Sequence, residues 1–292
     1  MERDIRMAAA KAKKLVTRRH LWSNISKAEQ TVITQMQDLD VGVNFADKNL
    51  GVVVYHRDLY REQCLLHLED DKGTYDKIVD RSKKDILEHV SSELATILFN
   101  LKRQSRNPCW AYVADSILRD TRNAARKGRL CKFYIMWKLH KAANASGLRS
   151  RPIAASIDYV TGPASHFLHS QLKEAVWKHP YVLGDSLDLI RTIEGLRFNA
   201  YDHIMITAAD VNALYPSIRL LRGMDALEWF IDQHTNFNKT LKDLCMDLAF
   251  FVLSNNFVTC EELGSSIYHQ RIGTAMGTSF SVVYAIIFMI RL

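Results

Sequence analysis

Proline and cysteine are both scarce in this chain, five of each in 292 residues. The cysteines (Cys64, Cys109, Cys131, Cys245 and Cys260) are odd in number and scattered. None forms a C-x-x-C pair or stands at metal-ligand spacing with a histidine, which argues against a zinc site and for reduced thiols in a reducing compartment. No apolar run reaches the ~20 residues that a membrane helix needs. The longest, Phe280 to Ile290, is about half that length. There is no internal repeat and no long Pro/Gly/Ser linker. The first residues, MERDIRMAAAKAKK, are charged from residue 2 and lack an apolar core, so they are not a secretory signal. Glu2 and Asp4 argue against a mitochondrial leader. The expected location is intracellular, cytoplasmic or nuclear, with no membrane partner.

The composition that remains is that of a folded chain, 48% hydrophobic and 24% charged. The net charge of +7 permits a polyanionic partner, and it equally fits a plain surplus of surface Lys and Arg.

Residues 1–39 read as a basic helix, with a capping box at Ser26-x-x-Glu29. Residues 41–56 read as two short strands around a turn holding Asp47, Asn49 and Gly51. Asp58 is placed to cap a helix through LYREQCLLHL. Further helices are expected over about 82–103, from Pro163 to Trp177 and around Leu241–Val252, where apolar residues fall at i, i+3, i+4, i+7. Residues 131–137 and the RPIAAS segment read as strands. So does 203–209, a buried strand ending at Asp210. A hairpin is expected around Gly264, and an apolar helix opens at Gly273. Helices and hairpins without strict βαβ alternation make the chain α+β.

Four features carry chemistry. An apolar strand running into Asp210 would set a carboxylate beside a cleft, as a metal ligand or a turn cap. Tyr215 follows five residues later, either over the same cleft or in the core. From Arg119 to Arg151 the cations run almost without acids, Asp120 excepted. They include Arg122, Arg126, Lys127, Arg129, Lys132, Lys138, Lys141 and Arg149, and Phe133, Tyr134 and Trp137 are interleaved. Cations beside aromatics suit a phosphate backbone with stacked bases, or a triphosphate. Gly273-Thr-Ala-Met-Gly277 is not a P-loop. Its small residues permit close approach of another backbone.

In order, ADKNLGVVVYHRDLY (46–60), FYIMWKLHK (133–141), LRSRPIAAS (148–156), ITAADVNALYPSI (206–218) and QRIGTAMGTSFSVVYAIIFM (270–289) resemble reverse transcriptases. The likeness is greatest to those of Penelope-like retroelements. The resemblance implies a right-hand polymerase fold, with a basic helical extension over 1–45, fingers over 46–200 and an incomplete palm over 201–292. It implies that Asp210 and the Val211 carbonyl hold catalytic magnesium, two ions in the intact enzyme. It makes Tyr215 the steric gate against a 2′ hydroxyl. Lys138, Arg149 and Arg151 would bind the incoming triphosphate, Arg151 foremost. Gln270, Gly273 and Gly277 would shape the nucleotide pocket, while Arg122, Arg126, Lys127, Arg129, Lys132 and Lys141 would meet nucleic acid. The partners would be an RNA template, a DNA primer and deoxynucleoside triphosphates.

Two departures stand out. Ser279 replaces the family's usual proline. No aromatic-x-Asp-Asp segment follows residue 277, and the only adjacent Asp pair is Asp70-Asp71. One carboxylate is too few for two metal ions. The expectation is therefore a truncated polymerase with little or no activity as it stands. The alternative is a non-catalytic nucleic-acid-binding relic or domesticated module.

Overall fold

A computed structural model describes residues 26–70, 72–105, 107–141, 148–199 and 203–292. The chain divides into two units. The smaller contains the described residues up to Val43 together with Val54–Arg57, and the larger contains Asn44–Val53 and Asp58–Leu292. Most of the expected basic helix over 1–39 lies outside the described residues. Its last part is α1 (Lys27–Asp38), opened by the Ser26/Glu29 capping box.

The hairpin expected over 41–56 forms from β1 (Val41–Phe45) and β2 (Val52–His56). Its turn is a single 3₁₀ turn, Asp47–Asn49, with Lys48 and Asn49 both in the left-handed region. α2 (Arg57–Leu68) begins one residue before Asp58. Asp58 thus sits in the first turn and pairs with Arg61 at 3.0 Å instead of capping the helix.

In the larger unit a five-stranded sheet runs in the order β3 (Tyr75–Ile78), β7 (Ile267–Gln270), β6 (Phe257–Thr259), β4 (Cys131–Trp137), β5 (Ser150–Ala155). Only the β4–β6 pair is parallel. β4 shows why its sequence makes a strand. Cys131, Phe133, Ile135 and Trp137 alternate into the core, and the residues between them are less buried. β6 pairs only with Cys131 and Lys132, so the edge of β4 beyond it needs other partners. The Ile135 N–H donates to the Tyr60 hydroxyl at 3.0 Å, and the Ile135 carbonyl accepts from Asn44 Nδ2 at 3.2 Å.

Helices pack around the sheet. α3 (Lys83–Gln104) and α4 (Pro108–Lys127) form an antiparallel pair. α5 (Gly162–Trp177), with Pro163 in its first turn as expected, packs on α4. α6 (Ser186–Gly195) has no buried residue and is capped by Asp185. α7 (Leu214–Ser217) is a single turn, entered through a left-handed Ala213. α8 (Leu220–His234), α9 (Lys239–Ser254) and α10 (Ser279–Arg291) complete the core with α5. On α9 the expected face is buried through Leu244, Cys245, Leu248, Phe251 and Val252. No helix among the described residues is long and apolar enough to cross a membrane. The architecture is α+β.

Two expectations are corrected. Residues 203–209 do not form a buried strand. They form no regular element and are exposed, Met205 and Ile206 at 83% and 86%, and no described strand pairs with them. An apolar run becomes a strand only where a neighbour completes its hydrogen bonds. The helix expected from Gly273 starts only at Ser279. Gly273 (φ 81°) and Gly277 (φ 133°) hold the segment between in a conformation that no right-handed helix accepts.

Candidate nucleotide site

The site is built where three segments far apart in sequence meet. β5 carries Arg151 in register with Met136 on β4, so Arg151 stands near the end of the β4–β5 pair where the connecting loop joins the two strands. Lys138 closes that pair, its N–H donating to the Arg149 carbonyl at 2.9 Å. Residues 142–147 of the connecting loop lie outside the described residues.

Arg151 faces the turn of the β1–β2 hairpin. Its Nη2 is 3.1 Å from Asp47 Oδ2. Asp47 is buried, while the guanidinium is about half exposed. Around them the charge is one-sided. The Lys138 ammonium is pushed below the ordinary lysine range, first by burial and then by Arg151, Lys141 and Arg149, with Asp47 the only charge opposing. Four cations sharing one carboxylate make a region where an added anion is electrostatically favoured.

Beneath this cluster, His67 on α2 is 2.8 Å from the Ser150 hydroxyl. Burial and then the Lys138 charge push the imidazole down to about 4, against the weaker pull of Asp70. It is neutral near pH 7. Asp70 follows the end of α2 and accepts from the N–H and hydroxyl of Thr74 at 2.9 and 2.7 Å. These bonds close the turn that follows α2. Asp71 lies outside the described residues.

Tyr215 lies on α7. Its ring is partly buried, and burial raises its hydroxyl while Arg151 pulls the other way, so the two side chains share one electrostatic neighbourhood. The Thr274 N–H donates to the Tyr215 carbonyl at 2.9 Å. A Cβ on Gly273 would lie 2.6 Å from Pro216 Cα, and one on Gly277 would lie 2.7 Å from the Ala154 carbonyl oxygen. The Ala154 N–H donates to the Met276 carbonyl at 2.9 Å. The Gly273–Gly277 segment is therefore wedged between α7 and β5 with no room for side chains at either end. The close backbone approach expected from its small residues is what it makes.

A cleft of about 70 Å³ opens at this junction, lined by His67, Pro152, Pro216, Gln270, Thr274 and Met276 among others. Its volume suits about two waters and falls well short of a small-molecule pocket. Gln270 is held on both sides. Its Oε1 accepts from Asn256 Nδ2, and its Nε2 donates to the Ile272 carbonyl at 3.0 Å.

Asp210 is not drawn into this arrangement. It is exposed, on the unpaired stretch that precedes α7, with no hydrogen-bond or ion-pair partner among the described residues. Val211 beside it is also exposed. One carboxylate and one carbonyl suit a single hydrated magnesium that shares its shell with a phosphate. They do not make a two-ion site.

The basic run divides. Lys127 and Arg129 converge on Asp158 at 2.6 and 3.0 Å, and Lys132 pairs with Glu261 at 2.9 Å. Each of the three has an acid partner, and Lys127 and Arg129, sharing one carboxylate, keep one net positive charge between them. Arg122 and Arg126, both on α4, have no acid partner among the described residues. Sequence reasoning missed Asp47 as a site residue. Its signal was a lone acid in an apolar hairpin whose turn needs left-handed residues.

No protein-family model, curated protein or solved structure matches the chain.

Proposed function

We propose that this chain carries the nucleotide-binding part of an RNA-directed DNA polymerase of the reverse-transcriptase kind, similar to those of Penelope-like elements. The observation that supports it most is the convergence of three of the resembling segments. RPIAAS, LYPSI and GTAMG are separated by some 60 residues at each step, yet their backbones contact at Gly273–Pro216 and Gly277–Ala154. In this reading Arg151, Lys138 and Arg149 take the phosphates of an incoming deoxynucleoside triphosphate. Tyr215 bounds the sugar. Gly273 and Gly277 let the pocket wall approach closely, and Gln270 braces it. Asp210 and the Val211 carbonyl would hold magnesium, which when bound lowers the charge on the triphosphate and aligns it for in-line attack. RNA template and DNA primer are the partners that this chemistry requires.

The exposure of Asp210 and the absence of a partner around it among the described residues favour one second reading, a nucleic-acid-binding module without catalysis. Primer extension separates the two. The polymerase reading expects a DNA primer to be extended on an RNA template with magnesium, and Asp210→Asn to abolish extension. Binding of the template without extension supports the second reading. Full activity of Asp210→Asn removes the metal assignment.

A further inference from the structure

Two of the five cysteines lie thiol to thiol. Cys64 is on α2, and Cys260 follows β6 at the start of the 3₁₀ turn Glu261–Leu263 that leads toward β7. Helix and hairpin are clamped together on either side of the pair. Arg61 Nε donates to the Glu262 carbonyl at 3.2 Å, and the Tyr268 hydroxyl donates to Glu69 Oε1 at 2.9 Å. Arg61, Cys64 and Leu68 stand at i, i+3 and i+7 on one face of α2. That face sets Cys64 on the turn that Cys260 opens, and the Cys64 S–H donates to the Cys260 sulfur. Both are free thiols, 0% and 1% exposed.

The two sulfurs are not equivalent. The S–H of Cys64 holds the Cys260 thiol below the ordinary cysteine range against the effect of burial, and the N–H groups of Glu262 and Leu263 act in the same direction. Cys64 is pushed up, first as the donor to Cys260 and then by burial. Cys131 and Cys245 lack this arrangement. Burial pushes both up and no second thiol acts on either, which is the condition of inert core cysteines. A low thiol with a second thiol in reach is what disulfide exchange requires, one to attack and one to resolve.

The pair also lies where the fold opens most easily. The turn directly after Cys260 is on the surface, with Glu261, Gly264 and Ser265 exposed. Local opening of an exposed turn costs less than unfolding the core, and here it uncovers Cys260.

We propose that Cys64 and Cys260 are a redox-active dithiol, which a small disulfide such as glutathione disulfide converts to an intramolecular bridge. The Cys260 thiolate attacks one sulfur of glutathione disulfide. That S–S bond breaks, and one glutathione leaves as a thiolate that takes up the proton Cys260 gave to solvent. Cys64 then loses its proton and attacks the Cys260 sulfur, expelling the second glutathione, which is protonated in turn. Two protein thiols are oxidised to one disulfide, and glutathione disulfide is reduced to two glutathiones. The bridge ties α2, which bears His67, to the hairpin that bears Gln270, so it fixes two walls of the cleft. It holds whether or not the chain binds nucleotides.

The test is exchange of the whole folded chain against graded ratios of glutathione disulfide to glutathione near neutral pH. After an acid quench the remaining thiols are alkylated, and the cysteine peptides are mapped by mass spectrometry without reduction. The expected result is one cross-linked peptide pair that holds Cys64 and Cys260, with the loss of two alkylatable thiols. Cys109, which is exposed, should carry glutathione, and Cys131 and Cys245 should stay free. Single variants separate attack from resolution. Cys64→Ser should stop at a glutathione adduct on Cys260, formed at least about tenfold faster than Cys260→Ser forms one on Cys64. A thermal melt shows that each variant folds, and where one does not, the wild-type map alone decides. Cys64 and Cys260 both alkylated at every ratio overturns the proposal. So does a bridge that appears only together with oxidation of Cys131 or Cys245, because the whole core has then opened. Adducts that form equally fast on either thiol overturn the assignment of Cys260 as the attacking group.

Discussion

Arg151 Nη2 lies 3.1 Å from Asp47 Oδ2, and that oxygen is buried and accepts no hydrogen bond. The pair is held by charge rather than by directed bonding. The burden is asymmetric, because the carboxylate is almost fully removed from water and the guanidinium is not. Arg151→Ala strands a buried anion, whereas Asp47→Asn leaves a cation that water can still solvate. Arg151→Ala should therefore cost the larger stability, about 3 kcal/mol, against about 1 kcal/mol for Asp47→Asn. Denaturant melts of the single variants and of the double variant check this. Equal costs, or the reverse order, would show that Asp47 does not depend on Arg151.

The wedge at α7 and β5 predicts that Gly273→Ala and Gly277→Ala are each destabilising by more than about 2 kcal/mol. Each combines a backbone clash under 3 Å with a left-handed or wider φ. Gly195→Ala, where an added Cβ meets nothing within 4 Å, should stay within about 1 kcal/mol. Melts of the three variants decide the matter. Mild effects at 273 and 277 would mean that the segment is free to move away from Pro216 and Ala154.

His67 predicts a pH dependence. The folded protein holds the imidazole near 4, below its ordinary 6.5. Between those values the unfolded chain binds more protons than the folded one. The stabilisation is thus complete above pH 6.5, falls as the pH drops toward 4 and is fully lost below that. The loss should total at most about 3 kcal/mol. His67→Gln, which keeps a polar partner for Ser150, should remove this component. Parallel pH profiles of wild type and variant would contradict it.

Tyr215 gives a prediction about the sugar. If its ring bounds the 2′ position, Tyr215→Ala should relax the preference for deoxyribose by at least about tenfold, or about 1.4 kcal/mol. Competition between a deoxynucleotide and its ribonucleotide reads this out. Unchanged selectivity would take Tyr215 out of the sugar pocket.

Much of the fold was legible in the sequence, and the reason differs from element to element. β4 announced itself as a short apolar and aromatic run, and the Ser26 capping box, Pro163 and the α9 periodicity are local signals that packing did not override. β3 was missed. It is four residues long, and its partner β7 lies almost 200 residues away, so nothing nearby marks it. The exposed α6 escaped for a related reason, since it buries no face that a periodicity could reveal. The 203–209 segment failed the opposite way, because its apolar run signals a strand but carries no information on whether a partner strand is at hand. Arg151 could be named only through the resemblance, and the glycines through the close backbone approach that their size permits. The buried carboxylate that Arg151 faces could not, because burial of Asp47 depends on how the hairpin turn docks beside β4.

The central claim is that Arg151, Tyr215 and the Gly273–Gly277 segment form one nucleotide pocket. Equilibrium binding of a magnesium-bound deoxynucleoside triphosphate to the wild-type chain, Arg151→Ala and Tyr215→Ala tests it most directly. The account predicts that the wild type binds the triphosphate, that Arg151→Ala weakens binding at least about tenfold, and that Tyr215→Ala lets the ribonucleotide compete. No triphosphate binding by the wild type, or binding indifferent to Arg151, would contradict it.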